Sequence, residues 1–190
     1  MTTATESKLN KDGLLKSSPA TIYVYGGGTI EPLNPNPDDI KLETIAHCLS
    51  NMCRWTGNTI EFMSVAEHSV LASRITEDLE TLMHDGQEAF ICDLARPLKQ
   101  AEGFGEKYLE IERGLEEAIA TRFGLRPPPM SKETKYADDQ MLFREAKELV
   151  PHLGVEMPEP DEGTPWLELW SPKEAEKAFI SRFFELGGKT

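Results

Sequence analysis

The chain has 190 residues, enough for one domain with a substantial core, and its 39% hydrophobic and 28% charged content is ordinary for a globular protein. A formal net charge of −13, with no Lys/Arg run and no alternation of basic and aromatic residues, excludes a nucleic acid polymer as a partner. No apolar run reaches the ~18 residues that a membrane-spanning helix needs, so no membrane partner is expected, and MTTATESKLN lacks the basic start and apolar block of a secretory signal.

Cys48, Cys53 and Cys92 form no CxxC pattern. An odd, sparse set reads as reduced packing thiols of a cytoplasmic protein (host cytoplasm, if the gene is a phage's). A flexible tail is predicted over 1–18 and a single domain over 19–190. TIYVYGGGTIEPL, at 21–33, reads as a hairpin of two short strands around a glycine turn. Its GGGT lacks a following GK[ST], which argues against a phosphate loop. NPNPDD then forms a turn-rich link.

The helices follow. Ile45, Leu49, Met52 and Cys53 lie at i, i+4, i+7 and i+8, one apolar face, and TGNT at 56–59 ends that helix. Ser64 and Glu67 form an S-x-x-E capping box, so a helix starts near Val65 with His68 in its first turn. Val65, His68, Leu71, Ala72 and Ile75 share its inner face. A further helix is predicted over 77–85. Ile111, Leu115, Ile119 and Phe123 step by four, giving a long helix over 106–123 that Gly124 stops and the prolines at 127–129 block. Another covers 132–150, and Ser171, Pro172 and Glu174 start the last one, which ends at Gly187-Gly188. Trp166 and Trp170 read as packing anchors. The fold class is all-α, a mainly helical bundle with a small N-terminal β-hairpin.

Only four histidines occur: His47, His68, His84 and His152. His68 begins one helix, His84-Asp85 ends the next, and ADDQM contributes Asp138 from a helix with an apolar face. Imidazole nitrogens and carboxylate oxygens together suit a borderline divalent ion such as Mn, Co, Zn or Ni. Ligands from several helices fit a site inside a helical bundle.

HCLSNMCRWTGNT, FMSVAEHSVLASR, MHDGQEAFICDLARPLK and KYADDQML, in this order and spacing over 21–150, resemble the HD-domain metal-dependent phosphohydrolases. The likeness is to their deoxynucleotide-cleaving branch, which includes bacterial 5′-deoxynucleotidases and the dATP triphosphohydrolases of phages that replace adenine with 2-aminoadenine. The resemblance implies His68, His84, Asp85 and Asp138 as ligands of one divalent metal ion (Co, Mn, Zn or Ni, with Mg as an alternative), and Asp139 as the alternative to Asp138. It implies Glu88 and Asp93 as the catalytic acids, Arg54 and Trp55 as the substrate contacts, and Arg96 and Lys99 as further cations toward the phosphates. The substrate it implies is a deoxynucleotide. The narrower expectation is dATP cleaved to deoxyadenosine and triphosphate, with dADP and dAMP also accepted; the alternative is a 5′-deoxynucleoside monophosphatase of broad base choice. Relatives of this kind form dimers or hexamers, so a homo-oligomer is expected. The sequence departs from such relatives at Gly86, Gln87 and Cys92, where small residues and glycine are common, and at Asn58, where many carry histidine.

Overall fold

The computed structural model describes residues 21–190; the tail predicted over 1–18 lies outside the described residues. The hairpin is present, with Ile22–Tyr23 (β1) antiparallel to Thr29–Ile30 (β2) and Ile22 paired with Ile30. Gly26, Gly27 and Gly28 between the strands all take positive φ, a region glycine enters without steric strain. The GGG run is thus explained by the turn. Lys41 Nζ donates to the Gly27 carbonyl and Thr44 Oγ1 to the Tyr25 carbonyl, both at 2.8 Å, which ties the hairpin to the helices.

The first helix, α1 (Leu42–Asn51), ends earlier than its apolar stripe predicts. Met52 and Cys53 continue the period but leave the helix, because their backbone has a better partner elsewhere. Val65 N–H donates to the Met52 carbonyl and Arg54 N–H to the Met63 carbonyl, both at 2.9 Å, and Cys53 bridges Ser64. A non-local pairing has overridden local periodicity, and it pins the segment that carries Arg54 and Trp55.

Helix α2 (Val65–Thr76) starts where predicted, with Ser64 Oγ accepting the Glu67 N–H at 3.1 Å. The other half of the capping box is absent. The Glu67 carboxylate instead accepts the backbone N–H groups of Glu168, Leu169 and Trp170 at 2.9, 2.7 and 2.8 Å. These bonds fasten the segment before the last helix onto α2. Glu67→Ala removes the acceptor of three part-buried backbone donors and is expected to destabilise the protein by about 3 kcal/mol. Urea unfolding checks this, and a loss below about 1 kcal/mol would assign the clamp to other contacts.

The remaining helices are α3 (Leu79–Met83), α4 (Glu88–Ile91), α5 (Arg96–Lys99), α6 (Phe104–Phe123), α7 (Lys132–Leu149) and α8 (Pro172–Glu185). α3 is shorter than the predicted 77–85, since Glu77 takes the left-handed conformation and Asp78 Oδ1 accepts the Glu80 N–H at 3.0 Å. α6 stops at Gly124, which has φ 66°, and α7 starts at Ser131, whose Oγ accepts the Thr134 N–H at 3.1 Å.

Helix α2 is the centre of the bundle and packs against α1, α3, α7 and α8. Every residue from Val65 to Ser73 is buried, so it has no solvated face in that stretch. The predicted inner face is therefore only part of its contact surface. Ser69 and Ser73 fit there because each hydroxyl donates back to a carbonyl of its own helix, Val65 at 2.9 Å and Val70 at 2.7 Å. α8 closes the bundle with Phe179 and Phe183, both fully buried, each worth roughly 1.5–3 kcal/mol of transfer free energy.

Trp166 and Cys92 correct the reading from sequence. Trp166 is 70% exposed, with the Arg144 guanidinium carbon 4.0 Å from its ring centre, while Trp170 packs against the core as expected. Cys92 is exposed, whereas Cys48 and Cys53 are half-buried. Among the described residues no helix is long and apolar enough to cross a membrane.

Candidate metal and phosphate site

His68 occupies the first turn of the buried helix α2, and its Nδ1 lies 2.5 Å from Glu145 Oε1. His84 follows α3, and its Nδ1 lies 2.7 Å from the Thr81 carbonyl. A carbonyl only accepts, so His84 Nδ1 carries the proton there; a carboxylate likewise draws the proton of His68 to Nδ1. In both rings Nε2 is then the free lone pair, buried and without a hydrogen-bond partner. An orphaned buried nitrogen is costly, and two that converge beside carboxylates could hold a shared metal ion.

The carboxylates supply the rest of a donor set. Asp85 Oδ2 lies 3.3 Å from His84 Nε2 and 3.8 Å from His68 Nε2. Asp138 Oδ1 lies 3.4 Å from His68 Nε2 and 3.9 Å from His84 Nε2. The donor atoms of His68, His84 and Asp85 all lie within 4.8 Å of one another. Bonds of about 2.1 Å to one ion put neighbouring ligand atoms roughly 3–3.5 Å apart, so these residues fit a single divalent cation with modest contraction. Asp139 turns away and pairs with Lys135, which also meets Asp138 at 3.2 Å. Asp138, and not Asp139, thus faces the two histidines. The other two histidines lie elsewhere. His47 stacks on Tyr25 and meets Glu176 at 3.1 Å, and His152 is exposed.

Arg54 and Trp55 enter from the kinked segment after α1. Trp55 and Thr56 both take positive φ, 56° and 53°, which costs on the order of 1–2 kcal/mol each for a residue with a β-carbon. Arg54 Nε and Trp55 Nε1 donate to Glu145 Oε2 at 3.1 and 2.9 Å, and Arg54 Nη1 lies 3.8 Å from Asp85 Oδ2. Burial would raise the Glu145 carboxyl, but Arg54, His68 and Trp55 together hold it down at about 2. The same burial opposes the charge on Arg54, and Glu145 and Asp85 overcome it and raise its pKa.

Glu88 opens α4, one turn beyond the ligands, with Oε2 buried and unpartnered. Burial, then the charges of Asp85 and Asp93, push its carboxyl well above the usual range, against Arg54 and Lys99. The chain then reverses at Cys92, at φ 67° and ψ 160°, a region that only glycine enters without strain. Cys92 N–H donates to the Glu88 carbonyl at 2.8 Å, and Tyr108 Oη donates to the Cys92 carbonyl at 2.6 Å. This held, strained turn brings Asp93 back to the cavity that Glu88 faces.

Lys99 ends α5. Its Nζ meets Glu112 Oε1 at 2.7 Å and approaches Glu88 Oε1 at 4.0 Å. α5 sits against α6 only because position 105 is glycine, since a β-carbon there would collide with the Lys99 carbonyl. Arg54, Trp55, His84, Asp85, Glu88 and Asp93 line one cavity of about 750 Å³, together with Lys99 and Asp138. That size falls within the roughly 300–1,000 Å³ typical of small-molecule sites. Leu142, Leu153, Val155 and Met157 give the same cavity an apolar wall. Arg96 lines it too, but is exposed at the mouth and makes none of the contacts that join the other site residues.

Glu145, Glu112 and Lys135 belong to this cavity's charge network and were missed in the sequence. Glu145 left one trace there. It stands at i+7 from Asp138, on the same helix face, as an acid inside an apolar stripe.

No family model matches the chain. It is 38% identical over 159 residues to the uncharacterized protein YfdR of Escherichia coli strain K12, a match that spans 80% of this chain and 86% of that protein. The chain belongs to the YfdR family. A second relative of this YfdR-family protein is the uncharacterized protein RCAP_rcc00048 of Rhodobacter capsulatus, 34% identical over 141 residues, which span 66% of this chain and 71% of that one. The first match extends well beyond any single helix, so the YfdR assignment rests on most of the bundle.

Proposed function

We propose that this protein is an HD-type, metal-dependent phosphohydrolase that cleaves the 5′-phosphate ester of deoxynucleotides. The observation that carries this is the convergence of two buried, unpartnered histidine nitrogens with Asp85 and Asp138, beside a cavity that His84, Asp85 and Asp138 line together with Arg54, Glu88 and Asp93. The donor set suits Co, Mn, Zn or Ni, with Mg as an alternative. A divalent ion, when bound, supplies Lewis acidity toward a phosphoryl oxygen and makes water acidic enough to ionise near neutral pH.

The chain's own groups do the rest. Arg54, its Nε held by Glu145, offers its outer nitrogens to the phosphate oxygens and offsets the charge that builds on them. Lys99 adds a second cation from the other side of Glu88. Asp93, with Glu88 beside it, orients the attacking water and takes its proton. A new P–O bond forms to that water, the bond from phosphorus to the 5′ oxygen breaks, and the carboxylate pair returns the proton to the leaving alkoxide. Trp55, fixed through its indole N–H, and the apolar wall receive the sugar and base. The choice of a deoxyribose rests on the sequence resemblance.

Two substrate forms compete: dATP losing triphosphate, with dADP and dAMP also accepted, and deoxynucleoside monophosphates of any base. The charges in the cavity favour the monophosphate. Glu88, Asp93, Glu112 and Glu116 line it, and Lys99 and Lys135 are already paired with acids. Glu116 is pushed up to about 7 by burial and then by Glu112, which tempers this repulsion without reversing it. Only Arg96, at the mouth, lacks an acidic partner among the described ion pairs. A triphosphate brings about four negative charges at pH 7 into this field, and each like-charge contact at close range costs on the order of 1 kcal/mol or more. A panel of deoxy- and ribonucleotides at each phosphorylation state, with Co, Mn, Zn and Mg, tests both levels. Phosphate release from the deoxynucleoside monophosphates is expected. Selective triphosphate release from dATP would reverse the choice between the two, and inert nucleotides throughout, with metal bound, would remove the hydrolase.

A further inference from the structure

Glu145 is fully buried on α7 and contacts three different functional groups. Its Oε1 faces His68 Nδ1 at 2.5 Å, and its Oε2 faces both Arg54 Nε and Trp55 Nε1, at 3.1 and 2.9 Å. A carboxylate that served only to balance Arg54 would need neither the histidine nor the indole. We infer that Glu145 is a positioning residue: one carboxylate fixes the tautomer of His68 for the cation and the fork of Arg54 for the phosphate. This role rests on the metal-dependent reading above.

The reason lies in what each partner must present. His68 binds a cation through Nε2 only when its ring proton sits on Nδ1, and the Nδ1 partner decides where that proton sits. Glu145 accepts and never donates, so Nδ1 must donate, and Nε2 is left facing Asp85 and Asp138. On the other side, the Nε contact fixes the rotation of the Arg54 guanidinium plane, and with it the direction of the outer nitrogens. The Trp55 indole N–H on the same oxygen anchors a residue whose backbone stands at φ 56°. Metal ligand, phosphate grip and nucleoside platform are thereby registered to one another through a single group on another helix.

Glu145→Gln is a sharp probe because it preserves shape and changes only hydrogen-bonding character. A carboxamide has one oxygen to accept and one NH₂ to donate. With its oxygen toward Arg54 and Trp55, its NH₂ points at His68 Nδ1. That nitrogen must then accept, and the ring proton moves to Nε2, where a cation would bind. With the oxygen toward His68, the NH₂ opposes two N–H donors and Arg54 swings away. Either arrangement breaks one half of the register, so the variant cannot satisfy both.

Co²⁺ titration of the full-length protein, followed by visible absorption without nucleotide, reads the first half, and inorganic phosphate binding to the Co²⁺-loaded protein reads the second. The glutamine variant is expected to lose about 10–100-fold in Co²⁺ affinity, in phosphate affinity, or in both, with its urea midpoint monitored alongside. Glu145→Asp covers the case in which the glutamine variant does not fold. It keeps the charge that Arg54 needs, its shorter arm withdraws from His68, and Co²⁺ affinity must again fall at least about tenfold. Wild-type affinity for both Co²⁺ and phosphate in a folded Glu145 variant overturns the role of Glu145 alone. A wild type that binds no Co²⁺ overturns the metal reading itself, and Glu145 with it.

Discussion

Asp85→Asn is expected to lower turnover about a thousandfold or more, equivalent to roughly 4 kcal/mol of transition-state stabilisation, and to abolish tight cation binding. The argument is geometric. A single oxygen, Asp85 Oδ2, stands 3.3 Å from His84 Nε2, 3.8 Å from His68 Nε2 and 3.8 Å from Arg54 Nη1. It is the one atom that approaches both histidines and Arg54. Asparagine keeps the volume and removes the charge, so the cation loses a ligand and its charge neutralisation together. Asp139→Asn is the matched control. Its carboxylate pairs with Lys135 away from the histidines, and its loss should change turnover by no more than a few-fold, the scale of a surface ion pair. Metal content of the purified variants and single-turnover rates decide the matter. An Asp85→Asn protein with wild-type Co²⁺ affinity would remove Asp85 from the ligand set.

What could be read from the sequence divides by the range of the interaction. The starts and stops of α6 and α7 are local events: Gly124 supplies a left-handed residue, and Ser131 caps its own helix. They fall within two residues of where the pattern puts them. The end of α1 is not local. Met52 and Cys53 extend the apolar period, yet their backbone pairs with residues 63–65, and nothing in the helix itself announces that. The capping box at Ser64 failed in the same way. Glu67 fits the local motif, but three N–H groups from residues 168–170 compete for its carboxylate and win.

The site divides likewise. The resemblance supplied residue identities, and the fold brings His84, Asp85, Asp138, Glu88, Asp93, Arg54 and Trp55 around one cavity, with the buried His68 against Asp85 and Asp138. Arg96 shows its limit, since a cation at the first position of a four-residue helix can face the cavity or the solvent, and here it is exposed at the mouth. Glu145 shows the opposite failure. In the sequence it is one acid inside the apolar stripe of α7, and only its complete burial, with three donors around it, reveals a role.

Glu88→Gln is expected to keep the cation and lose rate, by about 10²–10⁴-fold, the range that a positioned acid or base contributes. It should also make the metal-free protein more stable at neutral pH, and this second effect separates it from ordinary damage. Burial and the charges of Asp85 and Asp93 raise the native Glu88 carboxyl well above 4.5, whereas in the unfolded chain it titrates near that value. Above pH ~4.5 the native state therefore holds a proton that the unfolded state has released. Stability falls as pH rises through this window, up to the native pKa, and stays lower beyond it. Glutamine holds no titratable proton, so the variant escapes the loss. The two proteins should converge in urea midpoint below pH ~4.5, where both carry a neutral side chain, and diverge as pH rises toward neutral, with the variant higher. Measurement in chelator keeps a cation from compensating the cluster of acids. A variant that is slower and also less stable at pH 7 would make Glu88 a packing residue. One that is slower and more stable marks a carboxylate held in an unfavourable place for the sake of the chemistry, as the unpartnered Oε2 already suggests.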